Sequence, residues 1–361
     1  MDVALIGLAS SGKTSLQKAL AAGHLPAHSN PSEPAMAVVK VPDERLDRLA
    51  TLVEAKKTTY LELKILDFPS FSIGKKGPPP ALLGALATAD MLVHVVHAFD
   101  APAVPHPLDR VDPARDIAAM DLELAFADLA IVERRIERLT AEMRSLAAGQ
   151  RANQERELAL MNRIRQALEN ETPVRAMGLT SEEELTLAGF NLISAKPMLI
   201  VLNIAEADAL RTEAIEAEAR GTFEGRNTAV IALCARSEAD VAELPPEEAE
   251  EFRRELGLPE KPAPERVLQA AVTLLGMITF YTAGPQDTHA WSIPGGMPAT
   301  KAAGRIHSDI ERGFIRAEVI GWQELLDAGS HAEAKKRGTM RVEGKTYEVQ
   351  DGDVINVLFN V

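Results

Sequence analysis

Gly7-Leu8-Ala9-Ser10-Ser11-Gly12-Lys13-Thr14 satisfies G-x-x-x-x-G-K-[ST], the spacing of a phosphate loop. The chemistry of an anion cradle accounts for each fixed position. Gly7 and Gly12 permit a backbone path that turns several N–H groups toward one anion, and a helix after Lys13 adds the positive end of its dipole. Lys13 is expected to reach the β- and γ-phosphates from a surface loop, and the Thr14 hydroxyl to hold Mg2+. Ser10, Ser11 and Ser15 complete the nucleotide-binding set. The setting agrees: residues 2–6 read as a short buried strand ended by Gly7, and residues 14–22 as a helix.

Outward from the loop, strand-like runs recur at residues 61–66, 91–96, 197–202 and 228–233, with helical segments between some of them. Apolar strands alternating with helices predict an α/β fold with a mostly parallel sheet covered on both faces. Leu122, Ala125, Leu129, Val132, Ile136, Leu139, Met143 and Leu146 interrupt this pattern with an unbroken seam at spacings of three and four. A turn at Gly149 and a second stripe, Leu158, Met161, Ile164 and Leu168, predict an inserted antiparallel helical hairpin. Thr180 with Glu183 reads as a capping box. Residues 245–264, acidic and proline-rich, read as an irregular or partly helical connection, with a helix over 265–275 after it. Beyond residue 277, short strands are predicted at 279–282, 289–293, 314–319, 347–349 and 354–359, with helices at 299–306 and 322–328. Asp351-Gly352 reads as a hairpin turn between the last two strands. The expected domains are a P-loop domain of residues 1–117 and 196–275, the hairpin at 118–195 and a small mixed α/β domain at 276–361.

A chain of 361 residues suits two or three domains, and 46% hydrophobic with 25% charged residues is ordinary for a globular protein. The N-terminus runs directly into Val3-Ala4-Leu5-Ile6, and no apolar run approaches membrane-spanning length, so a cytoplasmic location without membrane association is expected. A single cysteine, Cys234, excludes an internal disulfide and reads as a small buried apolar residue. The net charge of -14 repels nucleic acid on average; DNA is not an expected partner, and any RNA contact needs a local basic patch. Lys335-Lys336-Arg337, with Arg341 and Lys345 nearby, is one such patch, and Lys75-Lys76 a second.

A phosphate loop names neither base nor reaction. After the strand at 197–202 comes Asn203-Ile204-Ala205-Glu206. GTPases carry N-K-x-D there, its Asp reading the guanine edge. Ile204 and Glu206 replace the lysine and the Asp, and the extra methylene of Glu206 disrupts a close bidentate contact. Asn203 and Glu206 therefore read against guanine as the base, with an ordinary strand-to-loop asparagine as the alternative.

With these motifs the sequence resembles the YchF/Obg-like ATPase family over nearly its whole length. The resemblance is carried by Gly7 to Ser15, by the segment from Val41 to Leu49, by His94-Val95-Val96, by Val111 to Ile117, by Asn191 to Pro197 and by Asn203 to Glu206. It is strongest C-terminally, at Phe280 to Gly284, Ala290 to Pro294, Ala302 to Asp309, Glu311 to Ala317 and Asp351 to Val361, which resemble the family's TGS domain. It implies a C-terminal β-grasp module, ATP with Mg2+ as the ligand through Asn203 and Glu206 in the family's N-x-x-E, slow ATP hydrolysis and association with ribosomes or rRNA. Asp67 is retained from the family's D-x-x-G as a ligand of the Mg2+ shell, but Pro69 and Ser70 follow it, Ser70 in place of the glycine. Pro31 stands where the first switch carries threonine, with Ser29 and Ser32 as neighbouring hydroxyls, and Phe71 occupies the family's hydrophobic position in place of a water-orienting glutamine. Two functions follow: a slow Mg2+-dependent ATPase or ATP-controlled switch, and a non-hydrolysing nucleotide-binding adaptor. A small-molecule kinase is disfavoured, because the arginines of the insertion belong to a packing helix.

Overall fold

The computed structural model describes residues 1–23, 34–71, 79–101, 103–145 and 151–360. The chain begins with β1 (Asp2–Ile6), α1 (Lys13–Leu20), β2 (Ala35–Lys40), α2 (Glu44–Leu52), β3 (Thr58–Thr59) and β4 (Glu62–Asp67). Then come α3 (Pro80–Thr88), β5 (Met91–Ala98), α4 (Pro113–Ser145), α5 (Ala152–Glu169), α6 (Ser181–Leu187) and β6 (Met198–Ile204). They lead to α7 (Thr212–Phe223), β7 (Thr228–Leu233), α8 (Ala235–Val241), α9 (Pro246–Glu255) and α10 (Ala263–Leu274). The remainder is β8 (Met277–Ala283), β9 (Thr288–Pro294), α11 (Ala299–Ile306), α12 (Ser308–Arg312), β10 (Phe314–Gly321), α13 (Trp322–Ala328), α14 (His331–Arg337), β11 (Arg341–Glu343) and β12 (Asp353–Phe359).

Two compact units divide these elements: Met1–Val39 with Lys64–Val267, and Lys40–Leu63 with Leu268–Val361. In the first unit a six-stranded sheet runs β2-β4-β1-β5-β6-β7, with β4, β1, β5, β6 and β7 parallel to their neighbours. The central strands β5 and β6 are buried along nearly their whole length, as apolar runs covered on both faces must be. One face packs Ile6, Leu92, Ile200 and Leu202 beneath Leu86 of α3 and Met120 and Leu124 of α4. The predicted seam is present: Ala125, Val132 and Leu139 of α4 are buried with Leu160, Ile164 and Leu168 of α5. Leu146 and Gly149 lie outside the described residues. The capping box at Thr180 and Glu183 opens α6. The proline-rich stretch from 245 to 264 holds a full helix, α9, whose first turn takes Pro246 where a missing N–H costs nothing.

The second unit is a mixed sheet, β11-β10-β12-β8-β9-β3, in the β-grasp arrangement. The pairs β10–β12 and β8–β9 are antiparallel, and β12 meets β8 in parallel. Here α11 covers one face through Ala299, Ala302 and Ala303 against Phe280, Ile293 and Ala317. Leu46 and Leu49 of α2 pack on the other, with Tyr281, Ile320, Leu325 and Val354. Polar contacts tie α2 to that unit as well: Tyr281 donates its hydroxyl to Asp43, and Arg45 pairs with Asp351 at 2.7 Å. The strand predicted at 347–349 is absent. Val349 and Tyr347 turn inward from an irregular segment, Tyr347 donating to Asp353 at 2.8 Å, and the strand paired with β10 is the exposed β11 instead. The turn at Asp351-Gly352 is therefore no hairpin: Gly352, at φ 87°, donates to Thr279 O at 2.8 Å.

Candidate functional site

The first loop of the sheet leaves the carboxyl end of β1, between β4 and β5, where open α/β sheets place their ligands. Gly7, Ser10 and Gly12 take positive φ angles of 154°, 60° and 98°. A Cβ on Gly7 would stand 2.4 Å from Val95 O, and one on Gly12 2.2 Å from Asn203 Nδ2. Glycine is thus required at both positions by contact as well as by conformation. Gly12 is the N-cap of α1, which starts at Lys13. The residues present fit a phosphate chain: a backbone cradle only glycine can make, a helix N-terminus, a lysine, a threonine hydroxyl and a carboxylate.

Lys13 corrects one expectation, since it does not project from a solvated loop. It is 7% exposed. Its Nζ donates to Gly7 O and Leu8 O, both at 3.3 Å, and to Ser70 Oγ at 2.8 Å. Burial pushes its pKa below the usual lysine value, and the charge of Asp67 opposes that shift. Thr14 donates its hydroxyl to Asp67 Oδ2 at 2.8 Å, so the two predicted cation ligands already meet. Among the described residues no group of three or more His, Cys, Asp or Glu is placed to hold a metal; a cation here would rest on Thr14, Asp67 and a ligand's own phosphates.

The segment after β4 is stitched to this loop. Phe68 N donates to Leu5 O and Phe71 N to Gly7 O, each at 3.1 Å, and Phe71 forms a parallel bridge with Leu8. The rings of Phe68 and Phe71 are 1% and 4% exposed in the core under the sheet. Each contributes about 2–3 kcal/mol by burial, which holds Ser70 between them against Lys13. Ser29, Pro31, Ser32, Lys75 and Lys76 lie outside the described residues.

Asn203 closes the opposite side. It is 5% exposed; its Nδ2 donates to Ser11 O at 2.8 Å, and its Oδ1 accepts from Ala235 N at 2.9 Å. The amide predicted to mark base choice thus clamps the phosphate loop to the start of α8. Glu206 is exposed just beyond β6 and accepts from Ser237 Oγ at 3.4 Å, and Ser237 also contacts Cys234 Sγ at 3.2 Å. Ser11 is 1% exposed; Ser10 and Thr14 are exposed and Ser15 half-buried. The Cys234–Ser237 segment was missed from sequence. Its signal is positional: it follows the last strand of the sheet at the same carboxyl edge.

Three buried histidines lie in β5 and in the segment after it. His94 in β5 is 1% exposed, and its pKa falls to about 3, chiefly through burial and then through the positive charges of Arg175 and Lys13. Beyond β5, His106 bonds Asp116 through Nε2 at 2.7 Å, both buried. Leu108 N donates to His106 Nδ1 at 3.1 Å, which places the ring proton on Nε2 and makes the imidazole the donor. His97 stacks on Phe99 with centroids 3.8 Å apart.

In the second unit, the predicted basic run ends α14, and each member has an acidic partner. Lys335 pairs with Glu318 at 2.9 Å, and Lys336 and Arg337 pair with Glu333 at 3.8 and 3.1 Å. The positive potential of this run is correspondingly muted. Among the described residues no helix is long and apolar enough to cross a membrane.

Residues 277–360 match the family YchF-GTPase_C, described as a protein of unknown function (DUF933). Over 370 residues and 100% of both chains, the sequence is 36% identical to the "Ribosome-binding ATPase YchF" of Bacillus subtilis (strain 168). It is 32% identical over 373 residues to the "Obg-like ATPase 1" of Oryza sativa subsp. japonica, covering 100% of this chain and 92% of that one. The solved YchF GTPase of Schizosaccharomyces pombe superposes with a TM-score of 0.85 at 25% identity, over 99% of this chain and 97% of that one. With full-length identity of this order and the phosphate loop, helical insertion and β-grasp unit in the same chain, the protein belongs to the YchF/Obg-like ATPase family.

Proposed function

We propose that the protein binds ATP with Mg2+ in the loop from Gly7 to Ser15 and acts in the cytoplasm as a slow ATPase or ATP-controlled switch on ribosomes, its C-terminal unit serving as a TGS domain. The observation that carries the nucleotide reading is the convergence of Lys13, Thr14 and Asp67 on a loop that only glycine can form at Gly7 and Gly12. Lys13 would meet the β- and γ-phosphates, and Thr14 and Asp67 would hold Mg2+, which neutralises phosphate charge when bound. Asn203 fixes the loop's shape, and Glu206, exposed at the edge of the site, disfavours guanine by its length and by the absence of the companion lysine. Ribosome association is supported by the similarity to the ribosome-binding ATPase of Bacillus subtilis.

A second reading, a non-hydrolysing adaptor, is favoured by the segment after β4. Phe71 is buried and apolar, and Ser70 stands next to Lys13, so neither supplies the side-chain amide that commonly aligns an attacking water. Calorimetric titration with ATP and GTP in Mg2+ tests the base preference, with tighter ATP binding expected; equal or tighter GTP binding overturns it. Single-turnover hydrolysis with and without ribosomes separates the readings. Slow release of phosphate supports the switch, none in either condition the adaptor, and brisk release by the isolated protein refutes both.

A further inference from the structure

We propose that Ser70 is the side chain by which this site distinguishes a triphosphate from a diphosphate, its hydroxyl donating to the terminal phosphate beside Lys13. This rests on the nucleotide reading above and specifies how it is exercised. Ser70 Oγ lies 2.8 Å from Lys13 Nζ, so an anion that meets Lys13 on the β4 side is one hydrogen bond from the hydroxyl. The oxygen accepts from the ammonium and still carries its own proton, which makes it a donor to that anion. The backbone that carries Ser70 is held independently of Lys13. Phe68 and Phe71 are anchored in the core on either side, and their N–H groups bond Leu5 O and Gly7 O. A donor held in place before the ligand arrives loses little entropy on binding.

Position along the sheet separates the two ends of a nucleotide. Ser70 follows β4, on the side of Thr14 and Asp67, whereas Asn203 lies near the carboxyl end of β6 and Glu206 just beyond it, two strands from β1 in the order β4-β1-β5-β6. A phosphate chain running from the β6 side toward Lys13 presents its last phosphate to Ser70, and a diphosphate stops short of it. Where the resembling family carries a glycine, this chain has added a hydroxyl that reads the extra charge.

The test is calorimetric binding of ADP and of a non-hydrolysable ATP analogue to the full chain and to Ser70→Ala and Ser70→Thr. Ser70→Ala is expected to weaken the triphosphate analogue about tenfold, the effect of one hydrogen bond to a charged group, and to change ADP by less than about twofold. Ser70→Thr, which keeps the hydroxyl, is expected to recover most of the difference. Equal losses for both nucleotides would assign Ser70 a structural role, and tighter triphosphate binding by Ser70→Ala would make it a competitor for Lys13; either overturns the proposal, as does an unchanged ratio. A parent chain that binds neither nucleotide removes the functional reading and the proposal with it. A parent that binds both, with the Ser70 pattern failing, leaves that reading standing.

Discussion

Truncating Asn203 to alanine should destabilise the protein even with no nucleotide in solution. Its amide makes two bonds, 2.8 Å to Ser11 O and 2.9 Å from Ala235 N, in a place where Asn203, Ser11 and Ala235 are 5%, 1% and 0% exposed. Removing it strands a carbonyl on the phosphate loop and an N–H at the start of α8. A buried polar group left without a partner costs about 1–3 kcal/mol, so two of them give roughly 2–6 kcal/mol, less whatever water enters the space vacated. Asn203→Asp should fare no better: it keeps the acceptor for Ala235 N but sets a carboxylate oxygen against Ser11 O. Urea unfolding of the nucleotide-free protein, with hydrogen exchange followed in β6, β7 and α8, should show a first-unit transition lowered by about 2–4 kcal/mol, allowing for partial hydration of the gap. An unchanged transition together with lost ATP binding would refute the clamp and return Asn203 to direct contact with the ligand.

Lys13→Ala should lower triphosphate affinity about a hundredfold or more in calorimetry, as loss of a buried charge partner does. The nucleotide-free stability should move by less than about 1 kcal/mol, because Phe71 N and Ser11 N still serve Gly7 O and Leu8 O and the cost of burying the ammonium disappears; a much lower melting point would contradict this. His94, with a folded pKa of about 3 against 6.5, binds fewer protons folded than unfolded between those values, so its contribution to stability falls as pH drops through that window. The slope is up to about 1.4 kcal/mol per pH unit, and His94→Phe should flatten the acid limb of an unfolding-versus-pH curve; an unaltered limb would show that other groups set it. Ribosome co-sedimentation should weaken steeply with salt if phosphate contacts carry it. Replacing Lys335, Lys336 and Arg337 together should reduce it only modestly, given their pairing with Glu318 and Glu333, and a complete loss would show that those pairs open on binding.

The phosphate loop was readable because its chemistry fixes residue types at fixed spacings, and the long seam because it repeats over many turns. What escaped reading escaped for physical reasons. In β2 burial alternates from Ala35 to Lys40, yet the outward positions include Met36 and Val38, 51% and 53% exposed, so no polar–apolar alternation exists to find. Tyr347 and Val349 imitate a strand because two inward side chains with one between them look alike whether or not a ladder joins them. Asn203 was placed near the right edge of the sheet, but its two bonds go to Ser11 and Ala235, one of them 192 residues away in sequence, and no local pattern announces such a pairing. Ser70 read as the loss of a glycine; only its position beside Lys13 makes it a group with a use.

The segment Lys40–Leu63 sits between β2 and most of β4 in the chain but belongs to the second unit, so the polypeptide passes from one unit to the other after Val39, Leu63 and Val267. No single cut yields two complete modules. A fragment limited to residues 277–360, the stretch matched by the family, lacks α2 and β3, and bares the side of Tyr281, Ile320 and Val354 that Leu46 and Leu49 cover. The order of synthesis carries the same tension. Asp43 is made 238 residues before the tyrosine that bonds it, a wait of about 10–50 s at ordinary elongation rates. For that interval the apolar side of α2 has no native partner, and the newborn chain must keep a piece of its last-formed unit in reserve near its own beginning.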